Sequence, residues 1–584
     1  MCGVFFSNSS SISVNLESLK HRGPDEVTLI KESNFQYGFC RLAIRDLSSA
    51  HQPRVKEDYV SAINGELYNE EEIRNLIAEL DPKAELPIGD MNILGLYLYL
   101  TDGLGIETAR GMFAGYVHFL GAHKIVYFRD AIGEKPLFQF KLNGYFALSS
   151  ESRFADILSL SISRRELNTF DLIRGHSIWK TEEVTECAAG TLYTMDLETL
   201  SLHSFRYYSW PKRPLYRGEG SLERLENAIV SAINRQSTSD VPMSLLLSGG
   251  LDSSLIAFFA KQNGIDLSAF TLTMNSHDWN ESSIASLYAK DLGFKHTEIN
   301  YSDKEVASLI PSILHAMDVP ILDSACISMY LATKKVSETH KVSFSGDGGD
   351  EISRGYEIYR WLPYLRFSRC LTFFSSGLAP RFEIRTNSTK YNSPGMKINR
   401  ARDVLSNNNF SISEIALSPF GGTPLFRDLA RKYSESHQFE CTEEYYSGKI
   451  LPRVYLTKSD RMSMANSVEV RSPFLDLEVI REGMKFSKVE LSYRNRKWIL
   501  RELAKRHLPD YILKNQKHGF SPPLGSILKH VTEPNWSPEI RNLTQVSPSY
   551  IWRNAREDQN YSIAAWALLV LDHFIKKGNL VLLK

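Results

Sequence analysis

The sequence predicts an α/β multidomain protein, in which a strand-rich N-terminal region precedes a doubly wound parallel sheet and a helical C-terminal region. Before residue 210, short alternating runs lie between turn residues, as in YVSAIN (59–64) and KIVYFRD (124–130). Beyond residue 220, short apolar runs alternate with helical stretches. Because 584 residues exceed one hydrophobic core, we expect domains at 1–209 and 221–584, joined by a Pro- and Gly-containing linker at 210–220.

The elements of the second domain follow one another in a regular order. Residues 221–236 place apolar side chains on one helical stripe, MSLLLS (243–248) is typical of a buried parallel strand, and SSLIAFFAKQN (253–263) follows as a helix. The order recurs at LSAFTLTM (267–274) and HKVSFS (340–345). Ligands of such sheets bind beyond the carboxyl ends of the strands, so the loops after these strands are candidate sites.

Charge and cysteine usage exclude several classes of function. Lys+Arg and Asp+Glu both number 68, so no global field attracts nucleic acid or an anionic membrane, and we expect neither partner. The basic run at 494–497 is interleaved with apolar residues and is interpreted as the solvated face of a helix. Six scattered cysteines without a C-x-x-C pair, a start without a basic leader, and a longest apolar stretch of only Ile563 to Leu571 predict a cytoplasmic protein.

The segment SGGLDSS (248–254) lies between a predicted strand and a predicted helix. Gly249 and Gly250 permit a tight turn, and the serine hydroxyls and the helix N-terminus favour a phosphate anion. Asp252 suits the site if Mg²⁺ lies between its carboxylate and the phosphates. There is no Gly-Lys-Ser/Thr, so this is not a kinase-type P-loop. The structural alternative is an Asp-capped helix after a glycine turn.

A second acidic loop, SGDGGDE (345–351), also follows an apolar strand. Asp347, Asp350 and the following glutamate make a poor core element and a good metal-phosphate site. Two such loops at the ends of two parallel strands would clamp one Mg²⁺–pyrophosphate. Lys517 is a candidate counter-charge for a transferring phosphate or a developing oxyanion, although alone it is more typical of a surface lysine.

Taken in order, the motifs resemble glutamine-hydrolysing asparagine synthetases over essentially the whole chain, most weakly at 360–450 and near the C-terminus. The resemblance implies an N-terminal nucleophile (Ntn) α-β-β-α sandwich, then a doubly wound parallel α/β adenylating (PP-loop) domain of the N-type ATP pyrophosphatase kind, with ammonia passed internally. The matching segments are MCG (1–3), HRGPD (21–25), RLAIRD (41–46), NGELYN (64–69), GMFA (111–114), RDAIGEKPL (129–137), SGGLDSS (248–254), SGDGGDE (345–351), SVEVRSPFLD (467–476) and KWILRE (497–502).

In the N-terminal domain the resemblance makes Cys2 the nucleophile. Once Met1 is removed, Cys2 carries a thiol and a free α-amine with a pKa of about 8, which suits a base that needs no histidine. Arg41 is implied to meet the glutamine carboxylate and Asp90 its ammonium, with Asn64 and Gly65 as oxyanion donors. The structural alternative for Arg22 is a buried ion pair with Asp25. The predicted glutamine site comprises Arg41, Leu42, Ala43, Ile44, Arg45, Asn64, Gly65, Glu66 and Asp90.

In the C-terminal domain the resemblance implies substrate ATP with Mg²⁺ held by Asp252 and Asp350. Asp347 and Lys517 are the predicted catalytic residues, and Tyr356 is a candidate pocket residue. Arg471 and Glu469 are predicted to form a buried structural pair. The predicted ATP site comprises Leu246, Ser248, Gly249, Gly250, Asp252, Ser253, Ser254, Leu272, Ser345 and Gly346.

Departures from the family pattern bear on the acceptor more than on the reaction. Asp347 stands where many relatives have glutamate, and Arg354-Gly355-Tyr356 replaces Gly-Gly-Tyr. We expect glutamine-dependent amidation of aspartate through an acyl-AMP, with another carboxylate acceptor (a sugar acid, a peptide or a natural-product intermediate) as the alternative. A tRNA-modifying adenylating enzyme and a non-catalytic sensor are the competing classes. The expected partners are small-molecule substrates, with a homodimer as one possible assembly.

Overall fold

The structure of the chain is a computed structural model. The predicted catalytic Lys517 and most of the divergent stretch 360–450 lie outside the residues it describes. Those residues are 2–11, 14–142, 144–153, 165–167, 183–274, 281–356, 446–492, 496–515, 521–543, 546–577 and 580–582, with the further positions 359, 399, 403, 418–420, 423, 425–426 and 443.

The N-terminal half is a sandwich of two six-stranded antiparallel sheets. Alternate residues of a strand point to opposite faces, and in the first strand Phe6 enters the core between the sheets, 5.3 Å from the Tyr116 ring, while Phe5 points outward. The sheet orders are β11-β8-β9-β1-β3-β2 and β13-β12-β7-β6-β5-β4. The strands are β1 (Gly3–Ser7), β2 (Glu26–Glu32), β3 (Phe35–Arg41), β4 (Arg54–Val55), β5 (Tyr59–Leu67), β6 (Gly111–Phe119), β7 (Lys124–Arg129), β8 (Phe138–Leu142), β9 (Tyr145–Ser149), β10 (Arg165–Leu167), β11 (Val184–Glu186), β12 (Thr191–Asp196) and β13 (Leu202–Arg206).

Helical layers cover the outer faces of this sandwich. Helices α1 (Glu70–Leu80) and α2 (Asp90–Leu100) pack on the second sheet, where Leu94 and Phe113 share one cluster. Among the described residues, the first sheet packs on the 3₁₀ helix Leu16–Arg22 and on helices of the C-terminal half. The predicted Ntn-type sandwich is confirmed. Short 3₁₀ helices also lie at Leu104–Glu107, Leu120–Ala122 and Pro473–Leu475.

The C-terminal half contains a five-stranded parallel sheet with helices on both faces, as predicted. In its first strand Leu245 packs into one cluster and Leu246 into the clusters on the other face. The strand order is β16-β15-β14-β17-β18, with β14 (Met243–Leu246), β15 (Ser268–Met274), β16 (Lys295–Tyr301), β17 (Val342–Phe344) and β18 (Glu469–Arg471); β19 (Leu580–Leu582) pairs with β10. The helices are α3 (Leu222–Gln236), α4 (Leu251–Gln262), α5 (Glu281–Leu292), α6 (Asp303–Ala316), α7 (Ala325–Val336), α8 (Gly349–Ser353), a π-helix (Tyr446–Tyr455), α9 (Leu456–Met464), α10 (Leu477–Met484), α11 (Lys488–Ser492), α12 (Trp498–His507), α13 (Asp510–Leu513), α14 (Leu524–Leu528), α15 (Pro538–Arg541), α16 (Pro548–Asn554) and α17 (Gln559–Lys576).

The order of the strands places the two predicted phosphate loops side by side. Strands β14 and β17 are neighbours although β15 and β16 lie between them in the sequence, so the direction of winding reverses there. Residues 248–254 follow β14 and residues 345–351 follow β17, and a Cβ on Gly346 would lie 3.0 Å from the Asp252 Cβ. The two loops therefore meet at the switch point where ligands of this architecture bind.

Two further expectations concern segments outside the sheets, the predicted linker and the longest apolar stretch. Residues 211–220 have no regular secondary structure, yet Arg213 is buried and donates to the carbonyls of Gly483 (2.8 Å) and Phe486 (2.9 Å). The domain boundaries remain predictions. None of the helices in the described ranges is long and apolar enough to cross a membrane, and the apolar stretch near the C-terminus forms the buried helix α17.

Candidate functional site

Cys2 lies at the amino end of β1, in the core between the two sheets. Its backbone N–H donates to Asn64 Oδ1 (2.6 Å), and its carbonyl accepts from Arg22 Nε (3.2 Å). Burial raises the pKa of the Cys2 thiol, and the positive chain terminus and a hydrogen bond from the Leu42 backbone oppose this rise. A thiol in this setting needs a nearby base to ionise it at neutral pH.

Strand β5 places Asn64 and Gly65 beside Cys2. Asn64 Nδ2 is buried and has no hydrogen-bond partner within the described residues. A buried donor without a partner costs about 1–3 kcal/mol. Gly65 has a φ of +142°, and a Cβ there would come within 2.0 Å of the Met112 carbonyl oxygen, so only glycine fits. An oxyanion forming at Cys2 would satisfy the free amide donor.

Two arginines lie near the place predicted for the charged groups of glutamine. The Arg41 guanidinium donates to the carbonyls of Asp46 (2.7 Å) and Leu47 (2.9 Å) and so shapes the loop after β3. Arg45 Nη1 lies 3.2 Å from Asp90 Oδ2. Burial raises the pKa of Asp90, and Arg45 opposes this rise. Arg45 is therefore a second cation here, and Asp90 already has a charged partner.

Most of the predicted glutamine residues line one cavity that also contains Cys2. Ala43 and Asn64 do not line it: the Ala43 N–H donates to Asp25 Oδ2 (2.7 Å), and Asn64 contacts the Cys2 backbone. No motif in the sequence singled out Gln52 or Asn92, which also line the cavity. The predicted residues that line it are Arg41, Leu42, Ile44, Arg45, Gly65, Glu66 and Asp90.

Side chains from the C-terminal half reach this first site. Arg471 Nη2 lies 3.1 Å from Glu66 Oε1, and Arg471 Nε donates to Glu469 (2.7 Å), so the predicted buried Arg471–Glu469 pair is confirmed and extends to the cavity wall. Burial raises the pKa of Glu66 to about 8. The proposed pair of Arg22 with Asp25 is wrong, because Arg22 contacts other carboxylates and Asp25 pairs with Lys341 instead.

The second site is a larger cavity above the parallel sheet, at the meeting point of the two acidic loops. Gly249 (φ +71°) and Gly250 form the turn before α4, and Asn515 Nδ2 donates to the Gly249 carbonyl (3.1 Å). Ser254 is fully buried in the first turns of α4 and does not line the cavity. The predicted ATP residues that line it are Leu246, Ser248, Asp252, Ser253, Leu272, Ser345 and Gly346.

A lysine expected on the solvated face of a helix lies between the two acidic loops. Lys497 is buried, with its Nζ against Asp252 and 2.9 Å from Asp350 Oδ1, directly before the first residue of α12. The interpretation of 494–497 as a solvated helical face is therefore wrong at this residue. In the sequence, only its position in the KWILRE motif indicated that Lys497 could belong to a functional site.

The two carboxylates fit the predicted Mg²⁺. They already share one cation, Lys497, and Mg²⁺ in nucleotide sites takes one or two carboxylates together with phosphate oxygens and water. Within the described ranges, no group of three or more His, Cys, Asp or Glu side chains is arranged to hold a metal ion, so Asp252 and Asp350 would need the nucleotide to complete the coordination.

Asp347 lines this cavity together with Lys458, a residue that no motif indicated. Asp347 Oδ2 accepts from Ser345 Oγ (3.0 Å) and Ser459 Oγ (3.3 Å). Lys458 lines the cavity, with its Nζ 2.8 Å from Asp323 Oδ2 and 5.1 Å from the centre of the Tyr455 ring. Lys458 is the one cationic side chain among the residues that line this cavity in the described part of the chain.

The expected pocket residue Tyr356 also lines this cavity. Its hydroxyl donates to Glu351, whose pKa burial raises to about 7. Its ring lies 4.4 Å from that of Tyr446 and 5.9 Å from that of Tyr455. The cavity therefore has an aromatic wall close to Lys458.

Comparisons with known proteins match both halves. Residues 1–206 match the glutamine amidotransferase domain, and residues 224–575 match the family described as asparagine synthase. The chain is 27% identical to asparagine synthetase [glutamine-hydrolyzing] 1 of Bacillus subtilis, over 91% of this chain and 86% of that one. It is 24% identical to a putative asparagine synthetase [glutamine-hydrolyzing] of Mycobacterium bovis, over 96% and 93%. The glutamine phosphoribosylpyrophosphate amidotransferase structure from B. subtilis covers 51% of this chain and 66% of that one, at 13% identity and a TM-score of 0.28.

Proposed function

This chain belongs to the asparagine synthase family and is a glutamine-dependent ligase that forms AMP and diphosphate, and we propose that the carboxylate it amidates is the side chain of aspartate. The observation that carries the choice of aspartate is Lys458, which lines the larger cavity and has its Nζ 2.8 Å from Asp323 Oδ2.

Aspartate matches the charges of Lys458 and Asp323. Its α-carboxylate would bind Lys458 and its α-ammonium would bind Asp323, each replacing the ion pair that these two residues make with each other. The side-chain carboxylate would then point towards Asp347 and the two phosphate loops. A dicarboxylate without the ammonium group would leave Asp323 without its cation, which is the basis for discrimination.

The first half-reaction releases ammonia from glutamine. The Cys2 α-amine, exposed by removal of Met1, takes the thiol proton, and the thiolate attacks the side-chain amide. Asn64 Nδ2 and the Gly65 backbone N–H stabilise the oxyanion, a contribution of about 10²–10³ in rate for one donor. Collapse of the tetrahedral intermediate breaks the C–N bond while the α-ammonium returns the proton to the leaving nitrogen, so ammonia leaves for the second cavity and a thioester remains. Water then hydrolyses the thioester to glutamate and regenerates the Cys2 thiol.

The second half-reaction joins that ammonia to the acceptor. The acceptor carboxylate attacks the α-phosphorus of ATP, which gives an acyl-AMP and pyrophosphate, and ammonia then displaces AMP to form the amide. Mg²⁺ bound by Asp252 and Asp350 would neutralise phosphate charge. The loop N–H groups of 248–254 orient the phosphates, and Asp347 faces the reacting carboxyl group. Lys517 is proposed as the cation that stabilises both attacks.

The proposal is tested by product analysis with glutamine, ATP, Mg²⁺ and aspartate. We expect asparagine, glutamate, AMP and pyrophosphate in equal amounts. Formation of ADP would refute the adenylation mechanism, and AMP formation with some other acid but none with aspartate would refute the acceptor. In the Lys458→Met variant the KM for aspartate should rise at least tenfold while the KM for ATP stays unchanged, because the lost cation faces the acceptor.

A different carboxylate acceptor is the second candidate, and the aromatic wall of Tyr356 and Tyr455 favours it. Aromatic side chains offer large apolar surfaces for a bulkier substrate. A screen of acids, scored by pyrophosphate release, distinguishes the two candidates. A bulkier acid turned over with a higher kcat/KM than aspartate would establish the second.

A further inference from the structure

Helix α9 of the synthetase half carries, on consecutive residues, contacts to both reaction centres. Lys458 lines the larger cavity, and Ser459 Oγ donates to Asp347 (3.3 Å). The next residue, Asp460, points into the N-terminal half and is almost fully buried, as is its partner Arg22. Nothing in the glutaminase motifs requires a residue from so far along the chain.

The contact between Asp460 and Arg22 is bidentate. Arg22 Nη1 and Nη2 donate to the two oxygens of Asp460, each at 2.9 Å. The guanidinium is planar, so two parallel hydrogen bonds fix both its position and the direction of its remaining donors. One of those donors, Arg22 Nε, is hydrogen-bonded to the Cys2 carbonyl at 3.2 Å. The Asp460 carboxylate is therefore one hydrogen-bonded side chain away from the backbone of the nucleophile.

Asp460 is itself held in place from its own side. Arg461 Nη1 donates to Asp460 Oδ2 (2.8 Å), and Arg461 Nε donates to Asp318 Oδ1 (2.7 Å). Asp318 Oδ2 in turn accepts from the Ser152 N–H of the N-terminal half (2.8 Å). Although burial opposes it, Arg22 and Arg461 lower the pKa of Asp460 to about 2, so the carboxylate stays ionised at neutral pH.

We propose that Asp460 is a positioning residue for the glutaminase reaction, which it serves by fixing Arg22 and, through Arg22, the backbone of Cys2. The glutaminase centre is thus completed by the synthetase half of the chain. The inference rests on the proposed role of Cys2 as the glutamine-cleaving nucleophile and adds a residue to it from the other half.

The central experiment compares two activities of the full-length chain. Glutamate release from glutamine reports on Cys2, and pyrophosphate release with ATP, acceptor and ammonium chloride reports on the synthetase site alone. In Asp460→Asn, we expect glutaminase kcat to fall about 10²-fold, which is the effect expected when a reacting group such as Cys2 is displaced by roughly 1 Å. The KM for glutamine should change less than about threefold, because the residues lining the glutamine cavity are untouched. The ammonia-dependent rate should stay within about twofold of wild type.

Two further variants separate positioning from folding. Arg22→Lys keeps a positive charge beside Asp460 but loses the bidentate geometry, so it should lower glutaminase kcat in the same way. Asp572→Asn is the matched control: Asp572 is a buried carboxylate that accepts from the Ser537 N–H (2.8 Å) and lines neither cavity, so both activities should persist.

A double-mutant cycle tests the route through Arg22. If Asp460 acts only through Arg22, the Arg22→Met/Asp460→Leu variant should lose no more glutaminase activity than Arg22→Met, within about twofold. Multiplying losses would overturn the route. Equal loss of both activities in Asp460→Asn, or unchanged glutaminase, would overturn the positioning role. Absence of glutamine hydrolysis in the wild-type chain would instead refute the proposed function itself.

Discussion

Removal of the Lys497 charge should make the synthetase half dependent on a divalent cation for stability. Lys497 Nζ contacts both Asp252 and Asp350, whose side chains are 6% and 25% exposed. Replacing this lysine with methionine removes the cation that the two carboxylates share. Breaking a buried pair in this way costs about 3–5 kcal/mol. Because Asp350 is partly exposed, we expect the lower end, about 3 kcal/mol.

The assay is the apparent thermal midpoint of Lys497→Met and of wild type, each with EDTA and with Mg²⁺ plus pyrophosphate. For a cooperative unit larger than 250 residues, 1 kcal/mol corresponds to about 1–2 °C, so the variant should melt about 3–6 °C lower in EDTA. Mg²⁺–pyrophosphate should close most of this gap, since Mg²⁺ supplies the missing charge.

Lys458→Met is the matched control for this measurement. Lys458 is a half-buried lysine that lines the larger cavity, but its partner is Asp323 and not the pair of loop carboxylates. Its loss should lower the midpoint without repair by Mg²⁺–pyrophosphate. A gap of equal size under both conditions in Lys497→Met, or no gap in EDTA, would refute the assignment of Lys497 to the cation position.

Three other outcomes follow from the first site and its surroundings. Cys2→Ala should abolish glutamine-dependent synthesis and leave ammonia-dependent synthesis, measured by asparagine formation; loss of both would contradict the separation of the two centres. Asn64→Ala should lower glutaminase kcat by about 10²–10³-fold with little change in KM, and a pure KM effect would contradict its role at the oxyanion. Asp460 has a folded-state pKa lowered to about 2, so its stabilisation is present above the unfolded value near 4 and is lost as the pH falls from about 4 to 2. Acid unfolding followed by circular dichroism should therefore show a smaller loss over that range in Asp460→Asn, and parallel curves would contradict the ion pair.

The residues carried by loops next to strands could be predicted from the sequence. Glycine turns and strand ends fix the backbone locally, so SGGLDSS and SGDGGDE could be placed at the carboxyl ends of β14 and β17 without knowledge of distant contacts. Gly65 was indicated only by the family resemblance, because its positive φ and its contact with the neighbouring strand, which leave no room for a side chain, arise in the folded sheet.

Lys497, Lys458 and Asp460 could not be predicted in this way, because their roles come from packing between distant segments. Lys497 meets Asp252 across 245 positions of the sequence, and Asp460 meets Arg22 across 438. Basic and acidic residues on short helices are usually solvated, which is the correct expectation when the partner is unknown. Only the folded arrangement shows that these charges face one another.

The buried charges of α9 lead to a last prediction, which separates stability from function. Replacing a buried ion pair by apolar residues of similar size is often neutral or stabilising, because the charges no longer have to be desolvated. Arg22→Met/Asp460→Leu removes the bidentate pair, while Arg461 keeps Asp318 and Glu151 keeps Arg153 as partners. We expect the thermal midpoint of this variant to equal or exceed that of wild type, with ammonia-dependent synthesis retained and glutaminase lost. A lowered midpoint with proportional loss of both activities would show that the pair serves the fold. Retained stability with lost glutaminase activity would mean that the Arg22–Asp460 pair serves to fix the backbone of Cys2 and not to stabilise the fold.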